Sequence, residues 1–178
     1  VYVTSDKWGP WKGSPLFMSY GKCLLYGVGM DTVGGATQAS LVPFGLKFQS
    51  GIMRGRFNPK DGHLYVTGIA GWQTYTTDDG CFQRLRHVGG SPVLVAHEVR
   101  DNGVWLRFDS ALDGGSAGRA AGHFAQTWNY RYAAAYGSPE FSVAHPGVVG
   151  HDVLEVRSAH VLGDGRELFV EMPQLTVA

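Results

Sequence analysis

Short apolar and aromatic runs, each broken after a few residues by glycine, proline or a polar turn, recur along the chain and predict a mainly β architecture. "PLFMSY" at 15–20 and "CLLYGVGM" at 23–30 are separated by Gly21 and Lys22, which predicts a hairpin with that dipeptide as its reversal. "DTVGGATQ" then reads as a looser, glycine-rich interruption before "ASLVPFGLKF". Pro43 withholds an amide donor there and argues against a continuous central strand. The clearest hairpin of the first half is "GIMRGRF" at 51–57, the turn "NPKDG", and "HLYVTG" at 63–68. Pro59 presets its backbone angle, Gly62 gives freedom at the reversal, and Tyr65 and Val66 favour extended backbone. "CFQRLRHV" alternates imperfectly, with Phe82, Leu85 and Val88 as anchors. "GIAGWQTYTTDDGC", from Gly68 to Cys81, therefore lies between strand signals.

"GGSP" at 89–92 marks a candidate boundary and divides the chain into segments 1–90 and 91–178. Beyond it, "VLVAHEV", the turn "RDNG" and "VWLRFD" predict another hairpin. "SALDGGSAGRAAG" is too rich in glycine for a long helix and reads as a surface connection or a very short helix. Further strands are expected around "HFAQTWNYRYA", "PEFSV", "DVLEVRSAHVL" and "RELFVEM", with "LGDGR" as the junction of the last two. In a strand, Trp128, Tyr130 and Tyr132 share one parity and pack on one sheet face. The pattern suggests an immunoglobulin-like β-sandwich, without the cysteine and tryptophan framework of a true immunoglobulin domain. Segment 1–90 reads as several strands of a repetitive sheet assembly.

The 178 residues, 44% hydrophobic, are enough for one sizeable domain or two small ones. Lys plus Arg and Asp plus Glu stand at 15 each, so the net charge gives no general reason to expect nucleic acid or an anionic membrane surface. Twenty-six glycines without a collagen period point to repeated tight turns. No apolar run approaches a membrane span, and "VYVTSDKWGPWKG" lacks the pattern of a signal peptide. That opening reads like the inside of a strand, and "QLTVA" lies close to another strand. Cys23 and Cys81 are either one bridge or two free thiols, since sequence separation does not settle their distance.

The combination "WGPWKG", "SPLFMSYGKCLLYGV", "GIMRGRFNPKDGHLYVTGIAGWQT" and "GCFQRLRHVG" resembles the last propeller portion of large secreted bacterial proteins related to glucose/sorbosone dehydrogenases. "WNYRYAAAYGSPEFSV" and "VLEVRSAHVLGDGRELFVEMPQL" are similar to the small β-sandwich that can follow it. The resemblance implies an all-β chain in which a partial β-propeller is followed by an immunoglobulin-like β-sandwich. It implies a periplasmic or extracellular bacterial setting, with missing propeller blades or neighbouring domains as partners. A propeller blade contributes four antiparallel strands, so segment 1–90 holds too few for a whole propeller. On this resemblance the chain is a structural or interaction portion of a larger protein. The alternatives are part of a quinone-dependent sugar or polyol oxidoreductase, with quinone or haem c elsewhere in the parent protein, and a carbohydrate-binding module.

Four residues stand out as ligand contacts. On a propeller connection, the Trp72 indole can wall one side of a sugar and the Gln73 amide can orient a polar group; alternatively Trp72 packs on a neighbouring blade and Gln73 satisfies its turn. Arg54 and Arg56 share a strand face and can clamp a carboxylate or phosphate; alternatively they are solvent-facing or paired with acids. Asp78 and Asp79 read as a polar turn and lack the EF-hand pattern. His145 and His151 have no zinc spacing, neither cysteine has an identifiable base, and no haem-attachment, Walker or dinucleotide motif occurs. No catalytic or metal-binding residue is assigned, and no cofactor is expected in this segment.

Overall fold

The computed structural model describes residues 1–134 and 136–175. The chain is all-β, built of several small antiparallel sheets, and it divides into two compact units, Val1–Ala96 and His97–Ala178. The "GGSP" punctuation at 89–92 precedes this division by a few residues.

In the first unit, β1 (Leu16–Ser19) pairs antiparallel with β2 (Leu24–Val33), Leu16 facing Gly27 and Ser19 facing Leu24. Their reversal uses Tyr20 to Cys23 rather than the Gly21–Lys22 dipeptide alone, and Cys23 takes a left-handed φ of 55°. "DTVGGATQ" is not a loose interruption. Strand β2 runs on to Val33, and β3 (Ala36–Lys47) returns from it with Val33 opposite Ala36. Gly34 and Gly35, at φ 58° and 84°, make the two-residue reversal whose twist matches the flanking strands. Pro43 is accommodated because β3 lies at the edge of the sheet β1-β2-β3, where a missing amide need not interrupt a central ladder.

Strands β4 (Gly51–Phe57), β5 (Leu64–Ile69) and β6 (Gly80–Leu85) form a second antiparallel sheet in that order. The "NPKDG" turn closes its first hairpin: Asn58 N–H donates to the His63 carbonyl, and Asp61 Oδ1 accepts from the His63 amide at 2.9 Å. Ile52, Leu64, Val66 and Leu85 point inward from this sheet and join Leu16 and Leu25 of the other in one core. Each fully buried large aliphatic chain of this kind contributes about 1.5–3 kcal/mol. Phe82 and Val88 do not anchor the third strand as the alternation suggested, being 71% and 88% exposed. Phe82 falls on the parity opposite to the buried Leu85, so a fixed strand register sends it outward.

A short 3-10 segment, Asp6–Trp11, supplies two buried indoles to the core. Trp8 meets Phe57 edge-on at 5.2 Å, and Trp11 meets Phe44 at 5.1 Å.

Strand β7 (Leu94–Arg100), which runs across the division after Ala96, forms a sheet of order β11-β12-β8-β7 with β8 (Gly103–Phe108), β11 (Ser158–Leu162) and β12 (Glu167–Glu171) of the second unit. Helix α1 (Gly114–Ala117) is one turn long, begun by Asp113, whose carboxylate accepts from the Ser116 amide. Strands β9 (Ala125–Thr127) and β10 (Asp152–Leu154) form a separate pair. Leu154, Ala159, Leu168, Val170 and Met172 are the buried centre of this unit. On β12, Glu167 accepts from Trp105 Nε1 at 3.0 Å and from Arg107 Nη1 at 2.5 Å, tying β12 to β8.

Trp128, Tyr130 and Tyr132 do not pack together on a sheet face. Strand β9 ends at Thr127, its three-residue ladder with β10 exhausted, and the parity rule has no strand to act on beyond it. Trp128 instead stacks on His151 at 4.4 Å and 14°, while Tyr132 is 99% exposed. The strand expected at the "QLTVA" end falls largely on 176–178, outside the described residues.

Candidate binding site

The β4-β5-β6 sheet has one face in the core and one in solvent, and the register determines what the solvent face carries. Arg56 lies opposite Tyr65, and Tyr65 lies opposite Arg84. Arg54 lies opposite Thr67, and Thr67 lies opposite Phe82. Two cross-strand rows result, Arg56–Tyr65–Arg84 and Arg54–Thr67–Phe82, and side chains so aligned on one face are in reach of one another. Arg54, Arg56, Thr67, Phe82 and Arg84 are exposed and Tyr65 is half-buried. A register shift between Ile52 and Arg54 leaves Met53 as the extra residue of β4.

The Tyr65 and Phe82 rings stack with centroids 5.7 Å apart and planes 26° from parallel. Beside them lies a shallow depression of about 350 Å³, lined by Arg54, Gly55, Arg56, Tyr65, Thr67 and Phe82. Tyr65 is oriented by its hydroxyl, which donates to Asp61 Oδ2 at 2.7 Å. The Asp61 carboxyl is held below the ordinary aspartate range, chiefly by the His63 amide and then by the Tyr65 hydroxyl, with the Arg84 charge adding to the effect. The face thus carries an ionised acceptor as well as its cationic donors.

Arg54 Nη1 donates to the Met53 carbonyl at 2.9 Å, and Arg56 Nη1 donates to the Gly55 carbonyl at 2.7 Å. Each bond uses one of the five donors of a guanidinium and leaves the others for a ligand. Among the described residues, the ion pairs that form involve other side chains, and no carboxylate lies within pairing distance of Arg54, Arg56 or Arg84.

The structure brings Arg54 and Arg56 together on one depression and places Gln73 on another. Trp72 stands in the β5–β6 connection, 70% exposed, and Gln73 beside it takes a left-handed φ of 57°. Gln73 lines a different depression, with Ser19, Lys22, Thr74 and Tyr75, and the Lys22 ammonium lies 4.9 Å from the Tyr75 ring centre. The two depressions share no residue. Asp78 and Asp79 close the same connection through backbone: Asp78 N–H donates to the Gln49 carbonyl, and the Asp79 carbonyl accepts from Ala70 N–H. Cys23 and Cys81 are both free thiols.

Sequence reasoning missed Tyr65, Thr67, Phe82, Arg84 and Asp61 as members of a site. The signal was present in the hairpin: once "NPKDG" is taken as the turn, the parity that puts Arg54 and Arg56 outward also selects Tyr65 and Thr67. Phe82 and Arg84 need the second pairing, whose long connection conceals its register.

The second unit holds a larger depression, of about 680 Å³, lined in part by Thr127, His145, His151, Asp152 and Gln174. Its polar groups are engaged in building the loop. Asp152 accepts from Ser142 Oγ at 2.6 Å and from the amides of Val143 and Ala144 at 2.7 and 2.9 Å. Its carboxyl is held below the ordinary range by those bonds, Ser142 first. His151 pairs with Glu140 and stacks on Trp128. Among the described residues, no group of three or more His, Cys, Asp or Glu side chains is arranged to hold a metal ion, and no helix is long and apolar enough to cross a membrane.

Comparison of the chain with protein families, with characterised proteins and with solved structures gave no match.

Proposed function

We propose that this chain is an interaction portion of a larger secreted protein, in which a partial propeller precedes an immunoglobulin-like sandwich, and that it acts by binding carbohydrate on the outer face of β4-β5-β6. The observation that carries this reading is the cross-strand alignment of Tyr65 and Phe82 with Arg54, Arg56 and Arg84 on one exposed face. Aromatic rings offer flat apolar area to the C–H face of a sugar, while Thr67, Asp61 and the guanidinium donors match its ring of hydroxyls. The oxidoreductase alternative has no comparable support within this chain, since its quinone or haem would be held elsewhere.

Affinity electrophoresis of this chain through gels containing neutral or acidic polysaccharides tests the reading. At least one polysaccharide is expected to retard the wild-type chain, and Phe82→Ala is expected to abolish the retardation while leaving the melting temperature unchanged, because Phe82 lies outside the core. Retardation by none of the polysaccharides, or retardation indifferent to Phe82→Ala, would contradict it.

A further inference from the structure

The two cross-strand rows place a guanidinium at both ends of one of them. Arg56 and Arg84 flank Tyr65 from opposite strands, and Arg54 stands next to Arg56 on the same face. A neutral sugar has no need of this arrangement, because single hydroxyls are satisfied by uncharged donors. A sugar bearing a carboxylate does need it: a guanidinium presents parallel donors in a fork that matches two carboxylate oxygens. Proteins ordinarily neutralise clustered surface arginines with neighbouring acids. Among the described residues no acid lies within pairing distance of any of the three, and Asp61, which feels the Arg84 charge, is engaged by Tyr65 and the His63 amide.

We propose that the ligand of this face is an acidic glycan, a chain of uronic acid residues whose carboxylates are taken by Arg54, Arg56 and Arg84 and whose ring faces lie on Tyr65 and Phe82. The proposal rests on the carbohydrate reading given above and narrows it to charged sugars.

Charge complementarity fixes the sign of the ligand, and two further features favour a uronate over a nucleic acid. Tyr65 and Phe82 lie against each other at 5.7 Å, forming one continuous apolar surface without a slot for a base between the rings. Asp61, ionised and bonded to the Tyr65 hydroxyl beside the row, is an acceptor for sugar hydroxyls, which a uronate chain offers on every ring.

Isothermal titration of the chain with an oligogalacturonate, with the same oligomer after reduction of its carboxylates to alcohols, and with a single-stranded oligonucleotide tests the proposal. The oligogalacturonate is expected to bind about tenfold or more tightly than the reduced oligomer, the scale set by charge-assisted hydrogen bonds. That preference is expected to shrink between roughly 50 mM and roughly 500 mM salt as screening grows. Arg84→Gln and Arg56→Gln are each expected to weaken uronate binding several-fold more than binding of the reduced oligomer, and to leave the melting temperature unchanged, both side chains being exposed. Equal affinity for the two oligomers with silent arginine variants overturns the acidic assignment and leaves the carbohydrate reading standing. Binding of neither oligomer overturns both, and preference for the oligonucleotide overturns both in favour of nucleic acid.

Discussion

Asp152 shows how one carboxylate organises a loop. Its oxygens collect Ser142 Oγ and the amides of Val143 and Ala144, and Ser142 Oγ in turn accepts from the His145 amide at 2.8 Å. These bonds favour the ionised form, so the folded-state value lies below the ordinary 3.8. The sign follows from the depression: the group contributes stability above its unfolded value, and that contribution is lost as pH falls through the folded one. Asp61 and Asp113 are lowered in the same direction and act with it. Thermal melts from about pH 6 to about pH 3 are expected to show a falling melting temperature at the acid end, with a shallower fall in Asp152→Asn. An identical acid slope in wild type and variant would show that Asp152 carries none of it. Nothing in "GHDVLEV" signals this role, since the partners lie eight to ten residues upstream and only the folded loop returns them.

Among the elements, the strands with explicit turn chemistry were legible in the sequence. "NPKDG" and "LGDGR" each join the two strands expected of them, β4 to β5 and β11 to β12. The "GG" reversal was not, because a two-residue turn in a weakly apolar stretch looks like a break until its strands pair. The β2 strand also contains a contact that sequence does not disclose: Gly27 lies under the Trp11 indole. A Cβ added there would sit 2.1 Å from Trp11 Cη2, too close for any real side chain. Gly27→Ala is therefore expected to lower stability by about 1–3 kcal/mol, or by more if the indole has no room to withdraw. Gly114→Ala, where an added Cβ meets nothing within 4 Å, serves as the control. Urea denaturation of both variants checks the difference, and equal midpoints would mean that Trp11 yields without cost.

For the whole molecule, the all-β class was legible from short apolar runs and turns, whereas the site was legible only in part. Arg54 and Arg56 emerge from strand parity within one hairpin. Their partners Tyr65, Thr67, Phe82 and Arg84 depend on two inter-strand registers, and a register is fixed by which faces find a core. Trp72 and Gln73 attract attention by composition, yet Gln73 faces a depression separate from the arginines. The central claim is that the outer face of β4-β5-β6 binds a sugar. Its most direct test is mapping of amide chemical-shift changes in the chain as an oligogalacturonate is added. The largest shifts are predicted at Arg54, Arg56, Tyr65, Thr67, Phe82 and Arg84; shifts confined to Gln73–Tyr75 or to the His97–Ala178 unit, or no shifts at all, would contradict it.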